Sequence, residues 1–228
     1  MMMKQGIAAL LLLAASQAWA VAQPQDWANL GRYRDANRAL TQADPHRVVF
    51  MGDSITEFWG KEHFIRDNPH FVDRGVSGQT APQMLVRFQS DVVALKPAVV
   101  HIMAGTNDIA QNTGPETEAE MMGYIVSMAQ LARANHIKVI IGSIPPASDF
   151  PWRHGLHPAP GIKALNARLK AYAAHQGFLY ADYWTALASE DGGLKTQFSD
   201  DGVHPNAAGY GAMRPIAQAA IARALSER

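Results

Sequence analysis

The chain has no cysteine among its 228 residues. Disulfides therefore cannot brace it, and a lipid cannot be carried on an N-terminal cysteine. Charge of one sign is not in excess either: Lys+Arg and Asp+Glu are 20 each. That balance lacks the basic surface that nucleic acid or acidic lipid would require, so no nucleic-acid partner is expected. No block of like charges and no internal repeat is present. Beyond the first residues no apolar run approaches the roughly 20 residues needed to cross a bilayer, so no integral membrane segment is expected in the mature chain.

What is present at the start reads as an export signal. Lys4 precedes an apolar run from Ile7 to Ala15, and Ala18-Trp19-Ala20 or Ala20-Val21-Ala22 offers small residues for cleavage. Residues 1–22 are thus expected to be a secretory signal peptide and 23–228 a single domain, exported to the periplasm or the extracellular space. With 48% apolar residues, a chain of this length can be held by its core alone.

Short apolar runs alternate with amphipathic stretches along the rest of the chain. The apolar spacing of Trp27, Leu30, Tyr33 and Leu40 predicts a helix over 26–43. Strands are predicted at 47–51, 71–76, 98–103, 138–144 and 178–183, and helices over 81–95, 115–135, 161–176 and 207–225; the segment after Thr56, with Phe58 and Trp59, reads as a loop. Continuous apolar strands between helices imply a five-stranded parallel sheet in a three-layer sandwich. In such sheets ligands bind outside the carboxyl ends of the strands. The polar clusters 52–56, 77–80 and 105–108 lie at those ends and should converge.

The first of these clusters and a loop near the end of the chain carry reactive groups. Val48-Val49-Phe50-Met51 delivers Ser54 to a strand end, and Asp201 stands three residues before His204 in a Gly/Pro-bounded loop, close enough to orient its imidazole. Gly52-Asp53-Ser54-Ile55, Gly75-Val76-Ser77-Gly78, Gly105-Thr106-Asn107-Asp108 and Asp201-Gly202-Val203-His204-Pro205 resemble, in order and spacing, the motif blocks of the GDSL esterase/lipase family, the SGNH hydrolases. The resemblance implies a flavodoxin-like α/β/α sandwich, with Ser54 as nucleophile, His204 as base and Asp201 as its partner. It also implies an oxyanion hole from the Ser54 and Gly78 amides and the Asn107 side chain. Asp73 stands where many relatives have Asn, which leaves open the polar support beneath Gly78.

Other features are read more plainly. Gly-x-Ser-x-Gly is absent around Ser54 and Ser77, against an α/β-hydrolase fold. Asp53 and Asp108 are expected to be buried hydrogen-bonding groups, and His101 a core histidine within its strand. His154 and His157 lack an evident third ligand, so neither a metal nor another cofactor is expected. Pro145, Pro146, Pro151 and Pro158 stiffen a loop carrying Phe150, Trp152 and Arg153. Trp152 and Arg153 there are candidate substrate contacts, suited to a carbohydrate or other polar alcohol bearing a short acyl group, acetyl above all. Lysophospholipid or thioester cleavage is the alternative, followed by a non-catalytic carbohydrate- or lipid-binding module or a flavin binder on the same fold.

Overall fold

A computed structural model describes residues 26–40 and 42–226; the segment read as a signal peptide lies outside the described residues. Five parallel strands, β1 (Val48–Gly52), β2 (Phe71–Gly75), β3 (Val99–Met103), β4 (Lys138–Gly142) and β5 (Leu179–Ala181), form one sheet in the order β2-β1-β3-β4-β5. This is the flavodoxin-like order, in which the direction of winding reverses between β1 and β3.

The helices in chain order are α1 (Arg34–Ala39), α2 (Ser54–Trp59), α3 (His63–Arg66), α4 (Ala81–Asp91), α5 (Thr106–Ile109), α6 (Glu118–Ala134), α7 (Ala159–Gln176), α8 (Tyr183–Leu187) and α9 (Ala207–Ser226). Side chains alternate across the strands and so divide the interior into two cores. Val49, Met51, Val100, Ile102, Val139 and Ile141 pack with Phe88 of α4, Met128 of α6 and Leu165 of α7. Val48, Phe50, Val99, Met103 and Ile140 pack on the other face with Trp59 of α2, Leu187 of α8 and Met213 of α9. Full burial of each such side chain contributes about 1.5–3 kcal/mol. With no disulfide available, these two cores and the backbone ladders between them hold the sheet.

Besides the short helices α5 and α8, the latter beginning at Tyr183, the expected end of the fifth strand, the structure departs from the sequence expectations in two places. The helix expected over 26–43 is reduced to α1: Asp26 accepts the N–H groups of Leu30 (2.8 Å) and Gly31 (2.7 Å), and Asn29 adopts φ 53. These turns leave Trp27 and Leu30 exposed. Their apolar spacing is real, but local side-chain-to-backbone bonding outcompetes the helix. Conversely, the loop expected after Thr56 holds α2 and α3, because Trp59 and Ile65 are drawn into the core.

Candidate active site

Ser54 stands two residues beyond Gly52, the end of β1. Asp53 between them accepts the Ile55 N–H (2.9 Å), capping α2 so that Ser54 is its first residue. Gly75, paired with Gly52 across β1 and β2, decides what α2 lies against: a Cβ there would stand 2.1 Å from the Glu57 nitrogen. The bare backbone lets α2 rest on the end of β2, which sets Ser54 beside Ser77 and Gly78. Glu57 fastens this arrangement, accepting the Ser77 N–H (2.7 Å) and hydroxyl (2.5 Å) with one oxygen and Arg32 (2.8 Å) with the other. From the far side, the Tyr210 hydroxyl of α9 donates to the Ile55 carbonyl (2.8 Å), and its ring stacks on Trp59.

His204 approaches from the loop before α9. Its Nε2 lies 2.8 Å from Ser54 Oγ and its Nδ1 2.6 Å from Asp201 Oδ2. Asp201 Oδ1 accepts the backbone N–H groups of Val203 (2.9 Å) and His204 (2.8 Å). Partial burial opposes ionisation of Asp201, but the hydrogen bonds from the His204 side chain and from these amides outweigh it and hold the carboxyl at about 2. An ionised carboxylate only accepts, so Nδ1 carries the imidazole proton and Nε2 is left as acceptor for the serine hydroxyl. Ser199 steadies the loop, donating to the His204 carbonyl (2.8 Å) and accepting from Gly202 (2.9 Å).

Asn107 reaches the same point from the end of β3, so the site sits at the crevice between β1 and β3 where the winding reverses. Its Nδ2 donates to the Gln79 carbonyl (3.1 Å) and, at 3.3 Å, to Asp53. Burial pushes Asp53 up to about 6, against the Ile55 N–H and the His204 charge. Gly78 adopts φ 77, and its N–H has no backbone partner among the described residues. Ser54, Phe58, Ser77, Gly78, Asn107, Asn112, Trp152 and His204 enclose a cavity of about 320 Å³, at the small end for ligand pockets. A hydroxyl activated by an imidazole, facing oriented N–H donors across a small cavity, has the parts for acyl transfer.

The remaining residues singled out from the sequence divide clearly. Trp152 lines the cavity, 44% exposed and stacked on buried Phe150 (centroids 5.1 Å apart), whereas Arg153 is exposed on the surface outside the cavity lining. His154 is bonded to Asp149, and His157 lies outside the cavity. His101 is fully buried in β3 against the Tyr183 hydroxyl (2.8 Å), its pKa lowered to about 4 by burial. Asp108 accepts the Ala81 N–H at the start of α4 (2.8 Å), and Asp73 accepts the Gly75 N–H (2.8 Å), so the support at Asp73 goes to the turn of its own strand. The sequence reading missed Glu57, Phe58 and Asn112. Glu57 carried a signal in standing one helical turn after Ser54; Asn112 carried none, because its partners Gly78 and Trp152 are remote in the chain.

Residues 50–212 match the model of the GDSL-like Lipase/Acylhydrolase family. A GDSL-like lipase of Bacteroides thetaiotaomicron, known from its crystal structure, is 46% identical; the match covers 86% of this chain and 98% of that one with a TM-score of 0.83. Esterase TesA of Pseudomonas aeruginosa is 30% identical over 134 residues, 59% of this chain and 60% of that protein. The lipoprotein YqeF of Bacillus subtilis is 31% identical over 94 residues, 40% of this chain and 39% of that protein. The matches thus reach less than two thirds of the length of both curated relatives.

Proposed function

This chain belongs to the GDSL-like lipase/acylhydrolase family, a family of ester-hydrolysing enzymes, and we propose that it hydrolyses carboxylic esters by a serine mechanism with Ser54 as nucleophile. The reading rests on the unbroken row Ser54 Oγ, His204 Nε2, His204 Nδ1, Asp201 Oδ2. His204 takes the Ser54 proton as Oγ attacks the ester carbonyl, and Asp201 stabilises the imidazolium that forms. The tetrahedral oxyanion is held by the Ser54 and Gly78 N–H groups and by Asn107 Nδ2, which exchanges its longer bond to Asp53 for one to the oxyanion. His204 then protonates the departing alcohol, leaving an acyl-serine, and water activated by the same imidazole releases the acid.

The substrate is an ester of a short acyl group, acetyl above all, on a carbohydrate or similar polar alcohol. Two features favour it: the cavity of about 320 Å³ has little room for a long chain, and the half-exposed Trp152 ring at its edge offers a flat face to a sugar. Export is part of the proposal, supported by the pattern of residues 1–22 and by likeness to a lipoprotein. Among the described residues no helix is long and apolar enough to cross a membrane.

Labelling by a fluorophosphonate, lost in Ser54→Ala, tests the mechanism. A p-nitrophenyl ester series from two to sixteen carbons tests the substrate: kcat/KM should peak at the shortest esters. A maximum at eight carbons or more would transfer the assignment to lipid acyl groups.

A further inference from the structure

Asn112 joins three parts of the cavity wall that the chain keeps far apart. It follows α5 in a turn where Gln111 has φ 57, and its own N–H donates to the Asn107 carbonyl (3.0 Å). The side chain then spans the site. Its Nδ2 lies 2.8 Å from Asn107 Oδ1 and 3.3 Å from the Gly78 carbonyl, and its Oδ1 accepts the Trp152 Nε1–H at 3.1 Å. An indole N–H only donates, so it holds the amide with Oδ1 toward Trp152 and both N–H groups toward the oxyanion donors. One carboxamide thus fixes Asn107 from its oxygen side, grips the peptide oxygen of Gly78, and ties both to the aromatic edge.

Resting on the ester-hydrolase reading above, we propose that Asn112 is a positioning residue of the oxyanion site, holding Asn107 and Gly78 in register and fixing the Trp152 rim to them. Small displacements of such donors are costly, since a misplacement on the order of 1 Å can cost about 100-fold in rate. Asn112 lines the cavity, but its Nδ2 is engaged by Asn107 and the Gly78 carbonyl, and it acts through them.

The decisive variants are Asn112→Ala and the nearly isosteric Asn112→Asp, each made in the native chain and with Asn107→Ala, and assayed on p-nitrophenyl acetate beside Ser54→Ala. Asn112→Ala should lower kcat by about 10- to 100-fold with KM within about twofold, because the loss falls on the transition state. Asn112→Asp keeps the size and the acceptor for Trp152 but sets a carboxylate oxygen against Asn107 Oδ1 and the Gly78 carbonyl. It should therefore be at least as damaging as alanine, the reverse of what a packing role would give. In the Asn107→Ala background the further loss should shrink to about threefold or less, since residues acting through one group are not additive. Trp152→Phe, which keeps the ring and removes the N–H, should cause a smaller fall of about two- to threefold in kcat. A kcat within twofold of native for Asn112→Asp, or equal losses with and without Asn107, would overturn the proposal. If Asn112→Ala does not fold, Asn112→Asp and Trp152→Phe decide alone. Hydrolysis that persists in Ser54→Ala would instead remove the ester-hydrolase reading itself.

Discussion

Histidine–aspartate pairs stand at both ends of the sheet, and His63–Asp67 and His204–Asp201 differ in what stands beyond the imidazole. At the amino end, His46, His63, Asp67, His70 and Arg214 line a hollow of about 650 Å³, twice the size of the carboxyl-end cavity. There His63 Nδ1 lies 2.6 Å from Asp67, the same separation as His204 from Asp201. Hydrogen bonds from Arg66 and His63 bring Asp67 to about 2, matching Asp201. Yet His63 Nδ1 also lies 2.7 Å from the Arg66 guanidinium, and its side chain is 82% exposed against 23% for His204. Among the described residues, His204 is the histidine bonded to both a carboxylate and a serine hydroxyl. Neither the size of a hollow nor a short His–Asp contact identifies a reactive site. What sets His204 apart is the serine hydroxyl on its far nitrogen.

That contrast is open to direct attack. The largest effect expected is from Ser54→Ala and from His204→Ala, each of which should lower kcat by about 10⁴-fold or more on any ester the protein accepts, because the pair acts as a unit. Steady-state rates on purified, folded variants check this, and a residual rate near native would dissolve the distinction between the two ends. Next, Asp201→Asn should lower kcat by about 10³- to 10⁴-fold by favouring the wrong imidazole tautomer, whereas Asp67→Asn should leave kcat within about twofold, as expected for an exposed pair. Comparable losses from the two would mean that the amino end matters to the reaction.

Glu57→Ala should have a smaller effect, about 10-fold in kcat, because it frees the Ser77-Gly78 turn from α2 without removing a reacting group. Glu57→Gln, which retains one acceptor oxygen, should recover part of that loss, and equal rates for the two variants would count against the tether.

The smallest effect concerns stability and pH. Burial, aided by the carboxylates of Glu116 and Asp53, pushes Asp108 up to about 7 against the hydrogen bond from Ala81. Its ordinary value is near 3.9, so between about pH 4 and 7 the folded state binds more protons than the unfolded state and stability falls as pH rises. Asp53, raised to about 6, acts with the same sign. Asp108→Asn keeps an acceptor for Ala81 while removing the charge. It should therefore shrink the loss of unfolding free energy between pH 5 and pH 8, by an amount on the order of one to a few kcal/mol, which a smaller fall in Tm over that range would report. An unchanged pH dependence of Tm would mean that Asp108 stays ionised in the fold. Asp201 has the opposite sign: its carboxyl is depressed, so its contribution is present above about pH 4 and is lost as pH falls toward 2.

The sequence by itself determined the sheet and offered the candidate reactive groups. Short apolar runs such as Val48–Met51, and Val99–Met103 with His101 alone breaking it, alternate with helical patterns and so fit a parallel sheet covered on both faces. A hydroxyl, an imidazole and a carboxylate in turn-forming blocks at strand ends are local features that spacing records. Where the chain would lie between those blocks was less legible. The period of Trp27, Leu30 and Tyr33 promised a helix that the Asp26 side chain prevents, and α2 was concealed because its burial depends on Trp59 meeting Tyr210, remote in the chain. Only the tertiary structure showed that His204 Nε2 stands 2.8 Å from Ser54 Oγ, that Arg153 lies outside the cavity, and that Asn112 bridges Asn107, Gly78 and Trp152. Hydrogen bonds between groups tens of residues apart leave no periodicity and no composition in the chain; they exist once the sheet has brought its strand ends to a common edge.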